Sequence, residues 1–389
     1  MMKNGKYLIL WLLCALLFTG CSGRGNGYPG NDPANSSTPP TDNSEVVDTS
    51  SADLGDCAAT ANTTPSNIET VVCTVNAFLD TLSTDERNTV SYDNTNAVAK
   101  TTWSDLPTDT VSRNGLRFGD LSADSLSAAL TVVKAALSTS GYQDFAGVLA
   151  ADDYLGSVED STATYSSNNY YIAIIGTPGT DTNWMLQIGG HNLAYNITYI
   201  SGTGYPVPNA IGAEPKDSFE SNSSTYAPLA IEGDAMQAMF EALTSSQLDF
   251  AFLDGESYSD VLVGPDNGSA AFPRTYPSVR KGVLVSDLSS DQQQLVKLAI
   301  AQWVDDFAAD VADPLMETYT SDTALADTYI AWAGTKSAGV DLDVAGTYMR
   351  IDGPRLWIEL LCREGTVISG KTRFSSVFRD KTVDYGNNL

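Results

Sequence analysis

His191 is the one histidine in 389 residues, so any imidazole chemistry in this chain runs through it. It follows Gly189-Gly190 and precedes Asn192 and an alternating apolar run, the pattern of a tight hairpin entering a strand. If the strand begins at the hairpin, His191 shares one side with Leu193, Tyr195 and Ile197, while Asn192 and Asn196 share the other. Two readings stand: a structural histidine held by a backbone group, or a general base or ligand-positioning donor. Glu359 falls 163 residues after Asn196, at an equivalent point of an internal repeat. Packed about a pseudo-twofold, the two would converge on one cleft, where a buried carboxyl with a raised pKa serves as acid or base. Otherwise Glu359 is an outward polar residue on a half-solvated sheet. Near the end of the chain stand Arg379-Asp380 and Asp384-Tyr385-Gly386. Arg379 offers a bidentate fork for a carboxylate, sulfate or phosphate, or a salt bridge that ties down the C-terminus. The candidate catalytic set is His191, Glu359 and Asp380. The candidate ligand-binding set is Asn192, Asn196, Arg373, Arg379, Asp384 and Tyr385.

The elements that must position these residues are legible in a duplication. Arg113-x-Gly115-Leu116-x-Phe118-x-Asp120-Leu121-Ser122-x-Asp124 recurs as Arg280-x-Gly282-Val283-x-Val285-x-Asp287-Leu288-Ser289-x-Asp291. Tyr171-Ile172-Ala173-x-x-Gly176-Thr177 recurs as Tyr329-Ile330-Ala331-x-x-Gly334-Thr335, and Ile188-x-Gly190-x-x-Leu193 as Ile351-x-Gly353-x-x-Leu356. The halves span about 75–201 and 236–363, with a connector over 202–235 and a tail over 364–389. Ser83-x-x-Glu86, Thr244-x-x-Gln247 and Ser289-x-x-Gln292 are capping boxes that start helices. Apolar residues at 126, 129, 130, 133 and 137, and at 295, 298, 299, 303 and 307, mark one helical face in each half. Strands are expected over 170–176, 184–189 and 192–200, then 328–333, 347–352 and 355–363. Gly189-Gly190 and Asp352-Gly353 are read as the hairpin turns. The predicted class is α+β: two tandem pseudo-repeats, each of helices followed by an antiparallel meander, packed with pseudo-twofold symmetry.

Composition narrows the partners. The chain has 48 acidic and 21 basic residues, a net charge of −27, which excludes wholesale nucleic-acid binding and disfavours adsorption to anionic membranes. Residues 22–349 hold 12 basic and 43 acidic side chains, whereas 350–389 hold 7 and 5. The positive charge gathered there is either internal neutralisation or an anion-accepting patch around Arg373 and Arg379. No P-loop, dinucleotide glycine fingerprint, serine nucleophile elbow or His-Glu-x-x-His occurs. Asp152-Asp153 and Asp341-x-Asp343 are too sparse for a calcium loop.

Lys3 and Lys6 precede an apolar run that ends in Thr19-Gly20-Cys21, a secretory signal over 1–20 too short for a transmembrane helix. Its end resembles a bacterial lipobox, which makes Cys21 the lipidated residue and implies a lipid-anchored, cell-envelope protein. By that analogy Ser22 favours the outer membrane of a two-membrane cell. Residues 21–65, rich in Ser, Thr, Asn and Pro, read as a flexible tether before a body over 66–389. Cys57 and Cys73 are close enough in sequence to staple the tether to the first helix, and an exported compartment permits it.

The body resembles the bacterial family called domain of unknown function 3500 (DUF 3500). The likeness rests on Phe78-Leu79-x-x-Leu82-Ser83, Gly115 to Leu121, Gly176-Thr177-Pro178-Gly179 and Gly189-Gly190-His191. It continues through Ile351-Asp352-Gly353-Pro354, Trp357-Ile358-Glu359 and the terminal Arg379-Asp380 with Asp384-Tyr385-Gly386. The resemblance implies Gly-His-His at the first hairpin and His-x-His before the terminal Arg-Asp, two imidazole pairs suited to a transition metal. Here those positions hold Asn192, Arg373 and Ser375 beside His191, so no metal or other cofactor is expected. The expected function is a binding or accessory module for a small-molecule, acidic or carbohydrate ligand. The alternative is a hydrolase or other small-molecule enzyme, which requires His191, Glu359, Asp380 and Arg379 to meet in one pocket.

Overall fold

The computed structural model describes residues 46–60, 64–159, 161–266 and 275–389. The expected signal sequence, Cys21 and most of the expected tether lie outside the described residues. Within them, no helix is long and apolar enough to cross a membrane.

Capped starts set several of the helices. Capping boxes open α1 (Asn67–Thr81), α2 (Thr84–Val90), α7 (Ser245–Ala251) and α8 (Ser290–Val304), and Ser122 caps α4 (Ala123–Ala136). The remaining helices are α3 (Ala97–Thr101), α5 (Thr139–Glu159), α6 (Ala230–Glu241), α9 (Ala309–Thr320) and α10 (Asp322–Leu325). The face expected on α4 is buried apart from Leu126, which is partly buried against the core. On α8 the expected Ala299 and Trp303 are buried, as is Phe307 just beyond it, together with Val296, Ile300 and Val304, but Leu298 is left exposed.

The strands are β1 (Ser91–Tyr92), β2 (Leu116–Arg117), β3 (Tyr171–Gly176), β4 (Trp184–Gly190), β5 (Leu193–Ile200), β6 (Thr203–Tyr205) and β7 (Asn209–Ala213). After a small separate hairpin, β8 (Phe219–Ser221) and β9 (Ser224–Tyr226), come β10 (Val283–Leu284), β11 (Tyr329–Ala333), β12 (Tyr348–Asp352), β13 (Leu356–Glu364) and β14 (Thr372–Asp380). Twelve of these join one sheet in the order β1-β3-β4-β5-β7-β14-β13-β12-β11-β10, with β2 also on β3 and β6 on β5. All pairs are antiparallel except β1 with β3.

Three expectations are corrected. The supposed tail supplies β14, a central strand between β13 and β7, and the supposed connector supplies β7 itself. Thr372–Asp380 shows no clean alternation of apolar and polar side chains, and residues 373–380 are all buried, as in a strand covered on both faces. The first hairpin turns at His191-Asn192, not at the glycines: Gly190 pairs with Leu193, and Asn192 takes the positive φ of 59°. Residues 46–60 are not a free tether. They form a strap along α4 and α5, where Asp53 N–H donates to Thr131, Lys134 to the Ala52 carbonyl and Tyr142 to the Thr49 carbonyl. A Cys57–Cys73 disulfide locks the strap to α1, with Cα atoms 5.7 Å apart.

Helices cover one face of the sheet and loops the other. Leu193, Tyr195, Ile197, Phe374 and Phe378 point into the helical core with Val75, Leu130, Met236 and Ile300. Their strand neighbours Ala194, Ala210 and Val377 pack under the loop segments that contain Trp103, Leu253, Val261 and Tyr385. Both faces are therefore dry, and polar side chains on the sheet need partners.

Candidate functional site

The hairpin between β4 and β5 places His191 against α5. Its Nδ1 lies 2.7 Å from Asp152 Oδ1. Tyr170 stands over both: its hydroxyl is 3.1 Å from Asp152 Oδ2 and 2.7 Å from the His191 carbonyl oxygen. Gly190 makes room for that ring, because a Cβ there would sit 2.7 Å from a Tyr170 ring carbon. Burial raises the Asp152 carboxyl, while His191 and Tyr170 pull it back. His191 Nε2 makes no hydrogen bond to the described residues, and Tyr165 packs beside the ring at 5.2 Å. A carboxylate that fixes Nδ1 and leaves Nε2 available is the arrangement of an oriented base or ligand donor.

The same hairpin reaches β14 through β7. Gly212 N–H donates to the Asn192 carbonyl (2.7 Å) and faces Ser375 across the ladder. Two residues before Ser375 stands Arg373, 8% exposed and directly across from Arg363 on β13. Arg373 makes no hydrogen bond to any described residue, and its buried Nε has no partner. Its nearest carboxylate oxygen, Glu214 Oε2, is 3.9 Å away, beyond hydrogen-bond range. Glu214 spends Oε1 on the Val367 and Ile368 N–H groups and leaves Oε2 unpartnered. Ser375 Oγ is likewise buried and unpartnered. Burial lowers the Arg373 pKa, with Arg363 adding to the effect and Glu214, Asp105 and Asp260 opposing it. Asp105 faces this cluster from the covering loop. Burial and Asp260 raise its carboxyl, against the pull of Arg373 and His191.

The expected catalytic set does not assemble. Glu359 is fully buried and satisfied by four donors: the N–H groups of Leu262 (2.6 Å) and Val263 (2.9 Å), Trp357 Nε1 (2.6 Å) and Tyr348 hydroxyl (2.8 Å). It clamps a covering loop to the sheet. Asp380 faces the helices, where Arg355 (2.7 Å) and Tyr319 (2.8 Å) bind one oxygen and the Thr382 and Val383 N–H groups bind the other. Burial pushes the Asp380 carboxyl up, but those donors outweigh it and hold it low. Strand alternation is the cause: Glu359 opposes Val377 on the loop face, while Asp380 points to the other side.

The ligand-binding candidates divide as well. Arg379 is a structural arginine, bonded to Asp384 Oδ2 (2.7 Å), the Gly264 carbonyl (2.9 Å) and Asp266 (3.4 Å). Asp384 also accepts the Asp380 N–H, and Tyr385 hydroxyl bonds Trp103 and Asp266. Asn196 donates to the Pro208 carbonyl (2.9 Å) and lines a separate, one-water cavity with Gln187 and Trp103. Asp152, Tyr170, Asp105 and Glu214 were missed from sequence. Asp152 carried a signal, an acidic residue inside the apolar helical stretch Gly147–Leu155.

These positions bear on kinship. The family profile that matches residues 64–387 is described as a protein of unknown function (DUF3500). The chain belongs to that family. No curated protein and no solved structure matches it. Gly212 joins two of the positions singled out from the sequence, Asn192 and Ser375.

Proposed function

We propose that this DUF3500 protein is a lipid-anchored cell-envelope protein whose body binds a small acidic ligand at Arg373, beside the His191–Asp152 pair. One observation carries the reading: an arginine 8% exposed that makes no hydrogen bond to the described residues, among Ser375 Oγ and Glu214 Oε2, which make none either. Its one ion pair, to Glu214, is 3.9 Å long, so the planar five-donor fork keeps capacity for a carboxylate, sulfate or phosphate. The Thr19-Gly20-Cys21 ending of the signal supports the anchor.

We read the body as a duplication about an axis between β7 and β14. The strand order supports it, since β3, β4 and β5 flank β7 as β11, β12 and β13 flank β14. Local pairings recur: Ser91 lies parallel to Ile174, as Phe252 does to Trp332. The α4–α5 and α8–α9 links meet each other in an antiparallel bridge, Leu137 with Phe307. A hydrolase reading is favoured by one feature alone, the Nε2 left available by the 2.7 Å contact to Asp152.

The test is a thermal-shift and calorimetric screen with phosphate, sulfate, citrate and uronic acids. The reading expects one of these to stabilise the wild type and to lose at least about tenfold in affinity in Arg373→Ala. No stabilisation by any of them, or full retention in Arg373→Ala, rejects it. Turnover of the bound ligand that is abolished by Asp152→Asn, with binding kept, would move the conclusion to the enzyme.

A further inference from the structure

A second cluster lies on the helical side of the sheet. Asp144 of α5, Glu232 of α6 and Asp306, between α8 and α9, each offer a carboxylate oxygen, and the three oxygens lie within 4.8 Å of one another. Glu232 and Asp306 are buried and Asp144 is half-buried. Among the described residues no Lys, Arg or His acts on the three; Glu232 feels Asp144, and Asp306 feels Asp144, Glu232 and Asp305. Burial, then Asp144, pushes Glu232 up to about 8, and burial pushes Asp144 up to about 6.

An independent feature points at the same place. The Tyr195 hydroxyl, on a residue 1% exposed, has no hydrogen-bond partner. The charged groups acting on it are Asp306, Asp144 and Glu232. Its ring packs edge-on against Phe307, the neighbour of Asp306. Glu232 Oε2 is unpartnered too. A surface cavity of about 340 Å³, lined by Asp144, Gly147, Tyr226 and Pro228, gives a way in.

We propose that Asp144, Glu232 and Asp306 form a calcium site, with the Tyr195 hydroxyl bonding the ion or a water it holds. The donor set is all hard oxygen. The three oxygens lie within 4.8 Å of one another, inside the roughly 5 Å that two oxygens on one calcium can span. Three protein carboxylates suit calcium, because magnesium keeps several waters and usually takes only one or two carboxylates. The three carboxylates come from both halves of the chain, so the ion would clamp α5, α6 and the α8–α9 link together.

The experiment uses the chelator-treated full chain at physiological ionic strength, which screens the acidic surface. Calcium is added and followed by calorimetry, melting temperature and terbium luminescence. Expected are one calcium per chain, a higher melting temperature and sensitised terbium emission that calcium competes away. Glu232→Gln and Asp306→Asn keep the side-chain shape and relieve repulsion, so they should fold, yet lose at least about tenfold in calcium affinity. Absence of a calcium response in the wild type overturns the site. So does an unchanged response in both variants, which would assign binding to the surface, or a melting curve that depends on pH alone, which would assign the cluster to shared protons.

Discussion

Two arginines six residues apart on β14 show how differently one side-chain type is used. Arg379 is enclosed by Asp384, Asp266 and the Gly264 carbonyl, so Arg379→Ala would leave buried carboxylates uncompensated. Its expected cost is about 3–5 kcal/mol in urea unfolding. Arg373 has only the long 3.9 Å ion pair with Glu214 and makes no hydrogen bond to the described residues. Arg373→Met should therefore cost clearly less than Arg379→Ala, about 2 kcal/mol or below, while ligand binding is lost. Equal losses in the two variants would show that Arg373 is a structural residue as well. The sequence placed both in one basic patch because spacing along a strand says which face a residue takes, not what covers that face. The covering loops come from residues far away in the chain: Gly264 and Asp266 for Arg379, Asp105 for Arg373.

At the scale of elements, a close joint between the two halves lies where α5 begins. The Ser138 N–H donates to the Asp306 carbonyl (2.9 Å), and a Cβ on Gly141 would stand 2.1 Å from that oxygen. Gly141→Ala must push α5 from the α8–α9 link, with an expected loss of about 1–3 kcal/mol or more, read as a lower melting temperature. An unchanged melting temperature would mean that this joint yields freely. Helix starts and most strands were legible, because capping boxes and alternation are local. β14 and β7 were not. Each lies outside the repeated motifs, and their pairing with each other joins residues 374–378 to 209–213 across the whole second half. The His191–Asp152 pair was half legible: the histidine was unmistakable, but its partner is 39 residues earlier on a helix packed against the hairpin.

Over the whole molecule, the positive charge of the last forty residues is mostly consumed internally. Arg355 pairs with Asp380, Arg363 with Asp260, Lys371 with Asp217 and Lys381 with Asp352, which leaves a strongly acidic exterior around the few unspent cations. The N-terminal strap adds a mechanical property. A tug on the chain at residue 46, as an anchor in a membrane would deliver, first strips the contacts that hold residues 47–57 to α4 and α5. Peeling then halts at Cys57, where the load crosses the disulfide into α1. In an optical trap, the oxidised protein should lengthen by at most about 40 Å, the extended span of the strap, and then hold until the sheet gives way. After reduction, α1 should unwind in the same pull, with no halt at that extension. The strap and its sulfur lock would thus work as a strain relief, sparing the sheet from the tension of its own leash.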